Sequence, residues 1–156
     1  LWVCGEAAST GLHGANRLAS NGVLEALVFA RACAADISTK VDPATAPPVA
    51  LAFEGHGVAP DPDAVTQLRQ TMTAHVGVRR TGAGLRAALE QIDALDAAHP
   101  DCPDFANMCA TARLIAASAL ARRESRGAHW RDDFPDTDPA QAARSFITLD
   151  LVTERA

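Results

Sequence analysis

The chain has 156 residues, a formal net charge of −5, 48% hydrophobic residues and 4% aromatic ones, with no Tyr. One compact domain is the default at this length, and its core must be built from Ala, Leu, Val and Ile. The acidic balance argues against nucleic acid as a partner, and no apolar run approaches the roughly 20 residues that span a bilayer.

Leu1-Trp2-Val3-Cys4 reads as the end of a strand, and a glycine-containing loop runs on to Ser20. From Asn21 to about Ile37 the spacing predicts a helix. Leu24, Leu27 and Val28 mark one side of it, and Val23, Ala26, Ala30 and Ala34 the other. A helix apolar nearly all round expects cover on every side, and in an isolated chain it would be a self-association surface. Residues 41–60 hold Pro43, Pro47, Pro48, Gly55, Gly57 and Pro60, the composition of a linker.

Three helices are predicted next. Asp61 is a good N-cap with Pro62 at the first helical position. Val65, Leu68, Met72 and Val76 carry that helix to about His75, with Gly77 as its stop. Gly82 and Gly84 flank the second start, Leu85, Ala88, Leu89, Ile92 and Leu95 form its stripe, and Pro100 closes it. Pro103 opens the third, which Phe105, Met108, Ala112, Ile115 and Ala119 carry to Gly127. Short connections between amphipathic helices favour antiparallel neighbours. The fold class is therefore mainly α, a three-helix antiparallel bundle at 61–127, preceded by a loop and helix at 1–40. The Asp- and Pro-rich tail at 128–156 reads as extended and as lying across a partner surface, with Phe146-Ile147-Thr148-Leu149 as a short strand.

Cys4, Cys33, Cys102 and Cys109 show no CxxC spacing, so zinc is not indicated and reduced, cytoplasmic thiols are the expectation. His56, His75 and His99 have no metal-ligand spacing. Arg122, Arg123, Arg126 and Arg131 cluster near the end of the third helix. They suit either helix-end electrostatics with salt bridges or, with Glu124 and His129, a docking surface.

The opening loop carries the chemistry. Glu6 follows a strand and a glycine, where a carboxylate can accept hydrogen bonds from ribose-type hydroxyls. Gly11 and Gly14 allow close backbone approach to a ligand. Arg17 can fork onto a carboxylate. Ser20 is a credible N-cap, so the free N–H groups and positive helix end lie near residues 21–23 and favour an anionic ring. The same residues also fit a solvated loop before a capped helix. His13 suits either the neighbourhood of such a ring or a bond to backbone.

The run from Gly5 to Asn21, Gly-Glu-Ala-Ala-Ser-Thr-Gly-Leu-His-Gly-Ala-Asn-Arg-Leu-Ala-Ser-Asn, resembles the flavin- and substrate-binding segment of the L-aspartate oxidases. These form a branch of the succinate dehydrogenase/fumarate reductase flavoprotein superfamily. Residues 119–129 and 133–138 resemble the end of that superfamily's C-terminal helical domain, and residues 68–72 and 75–78 its first helix. The resemblance implies that residues 1–40 are the last part of an FAD-binding domain. It also implies that Glu6 lies on FAD, that Arg17 holds a substrate carboxylate, and that Gly22 and Val23 touch the flavin ring through backbone. Gly22 stands where the family usually has Ser, and Val23 where it has Leu.

The family's GxGxxG turn and its capping domain, which supplies the catalytic base/acid, are missing. The chain thus reads as the C-terminal portion of a longer enzyme and is expected to be inactive alone. The implied substrate is L-aspartate, with oxygen or fumarate as electron acceptor. A succinate dehydrogenase or fumarate reductase flavoprotein subunit is the nearest alternative. A stand-alone helical interaction module is the alternative from another class.

Overall fold

The computed structural model describes residues 1–41, 49–52 and 57–153. The predicted linker residues Pro43, Pro47, Pro48 and Gly55, His56, and the last three residues of the tail lie outside them. The chain divides into two compact units, Leu1–Phe53 and Glu54–Ala156.

The first unit is built on helix α1, Asn21–Lys40, with a single 3-10 turn at Glu6–Ala8 before it. Residues 1–4 form no strand among the described residues. Instead the Trp2 indole Nε1 donates to Asp36 on α1 at 2.8 Å. The helix buries only Gly22 and Glu25. Val23, Leu24, Leu27 and Val28 are each about 60% exposed or more, as its all-round apolar pattern requires when nothing covers it.

The second unit holds α2 (Pro62–Val76), β1 (Arg79–Arg80), α3 (Gly82–Ala98), α4 (Pro103–Ala121), β2 (Trp130–Arg131), a 3-10 turn at Pro139–Gln141 and α5 (Leu149–Thr153). The fold is mainly helical. Starts follow local chemistry: Asp61 Oδ1 accepts from Asp63 N–H at 3.1 Å with Pro62 behind it. Thr81, not foreseen, caps α3 by accepting from Gly84 N–H at 3.0 Å. At Gly77 a Cβ would lie 2.7 Å from the Thr73 carbonyl, so α2 ends where only glycine fits. Helix α3 packs against both α2 and α4. Leu85, Ala88, Ile92, Phe105, Cys109 and Ala116 between them are fully buried, and the alanines allow close approach. No described helix is long and apolar enough to cross a membrane.

The third predicted helix is shorter than its pattern. It stops at Ala121, and Gly127 instead sits at φ 57° in a tight turn closed by a paired Arg126 and His129. The cause is Arg131, whose Nη1 donates to the carbonyls of Ala119 (2.9 Å), Leu120 (3.1 Å) and Arg122 (3.1 Å). Its guanidinium thus takes the acceptors that a further helical turn would have used. Nor is the tail extended. Strand β2 pairs in parallel with β1, Arg79 opposite Trp130 and Arg80 opposite Arg131. Residues 146–148 form no strand, and Leu149 opens α5, which packs on α4.

The basic cluster is engaged within the unit. Glu124 is fully buried and accepts from Arg122 at 2.6 Å, Arg126 at 2.9 Å and the Asp138 amide at 2.8 Å. Arg123 lies over the Phe134 ring, 5.6 Å from its centroid. His129 contacts the Arg80 guanidinium and the Arg122 carbonyl, each at 3.3 Å.

These contacts make stability depend on pH. The Arg126 hydrogen bond, helped by the Asp138 amide and Arg122 and opposed by burial, holds the Glu124 carboxyl at about 2 against 4.5 ordinarily. A carboxyl whose folded value is lowered stabilises the fold fully above its unfolded value and loses that contribution as pH falls through the folded one. Urea titrations should therefore show stability falling between pH 4.5 and about 2. Glu124→Gln should flatten that part of the profile, and an unchanged slope would show that Glu124 is not its source.

Candidate functional site

The loop before α1 is shaped by left-handed backbone. Gly5, Gly11 and Gly14 have φ of 70°, 78° and 61°, and Ser9 has 45°. Only short or absent side chains adopt these angles cheaply. The loop curls over the first turn of α1 and borders an open cleft of about 240 Å³. Glu6, Thr10, His13, Arg17, Gly22 and Glu25 all face it, together with backbone of Gly5, Ser9, Gly11 and Gly14.

Three of the five residues singled out from sequence therefore meet. A Cβ at Gly22 would fall 2.6 Å from Arg17 Nη1 and 3.6 Å from Glu6 Oε1. The missing side chain is what lets the guanidinium and the carboxylate converge over the helix start. Arg17 makes no ion pair or hydrogen bond among the described residues, so it is a cation available to an anionic ligand. Val23 does not line the cavity and is 65% exposed.

Ser20 is a correction. It occupies the N-cap position, but its backbone is left-handed at φ 67° and its side chain caps nothing. An N-cap hydroxyl reaches the N2 and N3 amides from extended backbone, which this residue lacks. The Ser20 carbonyl accepts from Val23 and Leu24, and the Leu18 carbonyl from Asn21. The Gly22 amide is left without an acceptor among the described residues.

Two participants were missed. Glu25 is buried, with one oxygen bonded by the Thr10 hydroxyl and the other by His13 Nε2 at 2.6 Å. The Thr10 bond, then the His13 bond, holds its carboxyl below the usual range against the effect of burial. His13 is thus tied to a carboxylate and not to backbone. The signal was present: Glu25 is the sole charged residue between Asn21 and Ala30, and an acid in so apolar a run wants a partner.

These groups fit one end of a flavin nucleotide. A carboxylate can accept from sugar hydroxyls, and an unpaired amide at the positive end of a 20-residue helix suits an electron-rich group. A glycine floor admits a planar ring. Among the described residues no group of three or more His, Cys, Asp or Glu could hold a metal ion.

Residues 100–154 match the family model described as fumarate reductase flavoprotein C-term. An L-aspartate oxidase of Rhodospirillum rubrum is 51% identical across 93% of this chain and 53% of its own length. That of Caulobacter vibrioides is 46% identical across 96% of this chain and 28% of its own length. The solved Mycobacterium smegmatis Sdh1 complex in the apo form is 29% identical over 91% of this chain and 29% of its own, with a TM-score of 0.68. The chain spans about half the length of the first relative and less than a third of the others. Residues 100–154 therefore carry the fumarate reductase flavoprotein C-terminal domain, and the chain as a whole is a relative of the L-aspartate oxidases that corresponds to part of those proteins.

Proposed function

We propose that this chain is part of an FAD-dependent L-aspartate oxidase, which converts L-aspartate to iminoaspartate on the route to NAD. The observation that carries the reading is an unpaired Arg17 converging with Glu6 over the bare Gly22, in a chain 51% identical to one such oxidase. Arg17 forks onto a carboxylate of aspartate and orients its Cα. Glu6 accepts from the sugar of FAD, and Gly22 presents its unbonded backbone amide to the ring; the Val23 amide and Ser20 carbonyl are bonded to each other. The flavin, when bound, supplies hydride acceptance, with oxygen or fumarate as final acceptor. This reading puts the enzyme in the cytoplasm, where free thiols such as Cys4, Cys33, Cys102 and Cys109 stay reduced. It also gives the exposed face of α1 its cover in the FAD-binding and capping domains. In the isolated chain the same face would drive self-association.

The 156 residues contain no GxGxxG turn for the pyrophosphate of FAD. The purified chain is thus expected to retain no FAD and to form no peroxide with aspartate. The longer polypeptide containing it should bind FAD and turn over aspartate. Turnover of succinate but not aspartate would overturn the assignment in favour of a succinate dehydrogenase or fumarate reductase subunit, to which the Sdh1 likeness also points. A longer polypeptide that binds no flavin would leave the helical interaction module.

A further inference from the structure

The loop from Ser9 to Arg17 has no sheet or helix to hold it, yet it must keep a guanidinium in register with the helix beneath. Its backbone bonds are few: Ser9 N–H to the Glu6 carbonyl and Gly14 N–H to the Gly11 carbonyl, both at 3.1 Å. Three of its residues, Ser9, Gly11 and Gly14, have positive φ, and its glycines give it freedom that must be removed elsewhere. The buried Glu25 carboxylate removes it. One oxygen is bonded by Thr10 and the other by His13, so both ends of the Thr10–His13 segment are fixed to one side chain. The Thr10 hydroxyl oxygen also accepts from Leu12 N–H at 3.2 Å, which sets the turn between them. Glu25 stands three residues after Gly22, on the same helix face. The fixed points of the loop and the floor of the cavity therefore belong to one turn of α1.

We propose that Thr10, Glu25 and His13 form a positioning unit that fixes the height of the loop over Gly22, and through it places Arg17 for its dicarboxylate ligand. The inference rests on the reading that Arg17 binds the substrate. It adds three residues that touch no reacting atom. Glu25 acts through Thr10 and His13, and these through the three residues that lead to Arg17. A carboxylate suits the task because two oxygens can be bonded independently from opposite sides, which an amide cannot match when both partners donate.

The test uses the FAD-loaded longer polypeptide and malonate, an unreactive dicarboxylate, as probe. Glu25→Gln keeps size and one acceptor but offers His13 an N–H in place of an oxygen. Malonate binding, measured by calorimetry, should weaken between about 10- and 100-fold, as expected when a clamp is displaced by a fraction of an ångström to an ångström. KM for aspartate should rise with it. FAD content should stay that of the parent protein and kcat within about threefold, since no reacting contact is lost. Thr10→Ser, which keeps the hydroxyl, should restore parent behaviour where Thr10→Val does not. The Thr10 pair also carries the test if Glu25→Gln fails to fold. Unchanged malonate affinity in both Glu25→Gln and Thr10→Val overturns the positioning unit, as does a loss of FAD equal to the loss of malonate. Arg17→Lys separates the two layers. If it leaves malonate binding untouched, the substrate role of Arg17 fails and the unit with it. If it weakens malonate while Glu25→Gln does not, only the unit fails.

Discussion

Replacing Arg131 by Met will lower the thermal midpoint of the helical unit by roughly 10–20 °C, the shift expected of about 3 kcal/mol in a unit of this size. The side chain is almost wholly buried, and every face of its guanidinium is used. Nη1 serves three carbonyls at the end of α4, at 2.9–3.1 Å. Nε and Nη2 each donate to Asp133 at 2.8 Å. Asp133 in turn accepts from the Gly82 amide at 2.9 Å, at the start of α3. Met fills the volume but leaves helix-end carbonyls without donors and a carboxylate without its cation. Each such orphan costs more than the bond itself was worth. Lys restores the charge but lacks the planar fork that reaches both sets of acceptors, so it should recover less than half the loss. Circular dichroism during heating reads the midpoint, and a shift under about 3 °C would reject this account.

Arg17→Lys, in the FAD-loaded longer polypeptide, is expected to reduce kcat/KM for aspartate by about 10²- to 10³-fold, or roughly 3–4 kcal/mol of transition-state binding. The residue makes no contact that stabilises the chain, so the melting temperature should move little, within about 0.5 kcal/mol of stability. That pairing of a large kinetic loss with an intact fold is the signature of a ligand-facing cation. It is the reverse of Arg131, where the fold is lost first. A decrease of less than fivefold in steady-state assays would remove Arg17 from substrate binding.

The contrast between the two arginines shows what the sequence could disclose. Asp61-Pro62 and Pro103 announce their helices because a cap and a ring-locked φ act on adjacent residues. The stripes through Leu85, Ala88, Ile92 and through Phe105, Ala112, Ala119 are local in the same sense, and they became the core; predicted Ile115 is instead 47% exposed, and Cys109 and Ala116, which the stripe left out, are fully buried. Glu6, Arg17 and Gly22 were legible because a short loop carries all three past one helix start. Arg131 was read only as part of a basic cluster, because its acceptors lie nine to twelve residues earlier and no local pattern marks them. Gly127 was misread because glycine serves a helix end and a tight turn equally well. Phe146-Ile147-Thr148-Leu149 was misread because four apolar or β-branched residues fit a strand and an exposed lead into a short helix alike. Ser20 had the right identity for a cap and the wrong backbone, which only its place after a left-handed loop decides.

The bond from the Gly82 amide to Asp133 and the pairing of β2 with β1 can close the helical unit only after residues 130–133 are made. As the chain leaves the ribosome, α2 and α3 emerge well before Arg131 and Asp133 do. Until those two residues follow, α3 lacks part of its N-terminal capping and α4 ends in open carbonyls. The half-made unit must wait, at translation speeds of roughly 5–20 residues per second, for a stretch of tail to close it. Its vulnerable interval in the cell is therefore the few seconds between the emergence of α3 and that of Arg131 and Asp133, when the helix pair is already present and its polar latch is not.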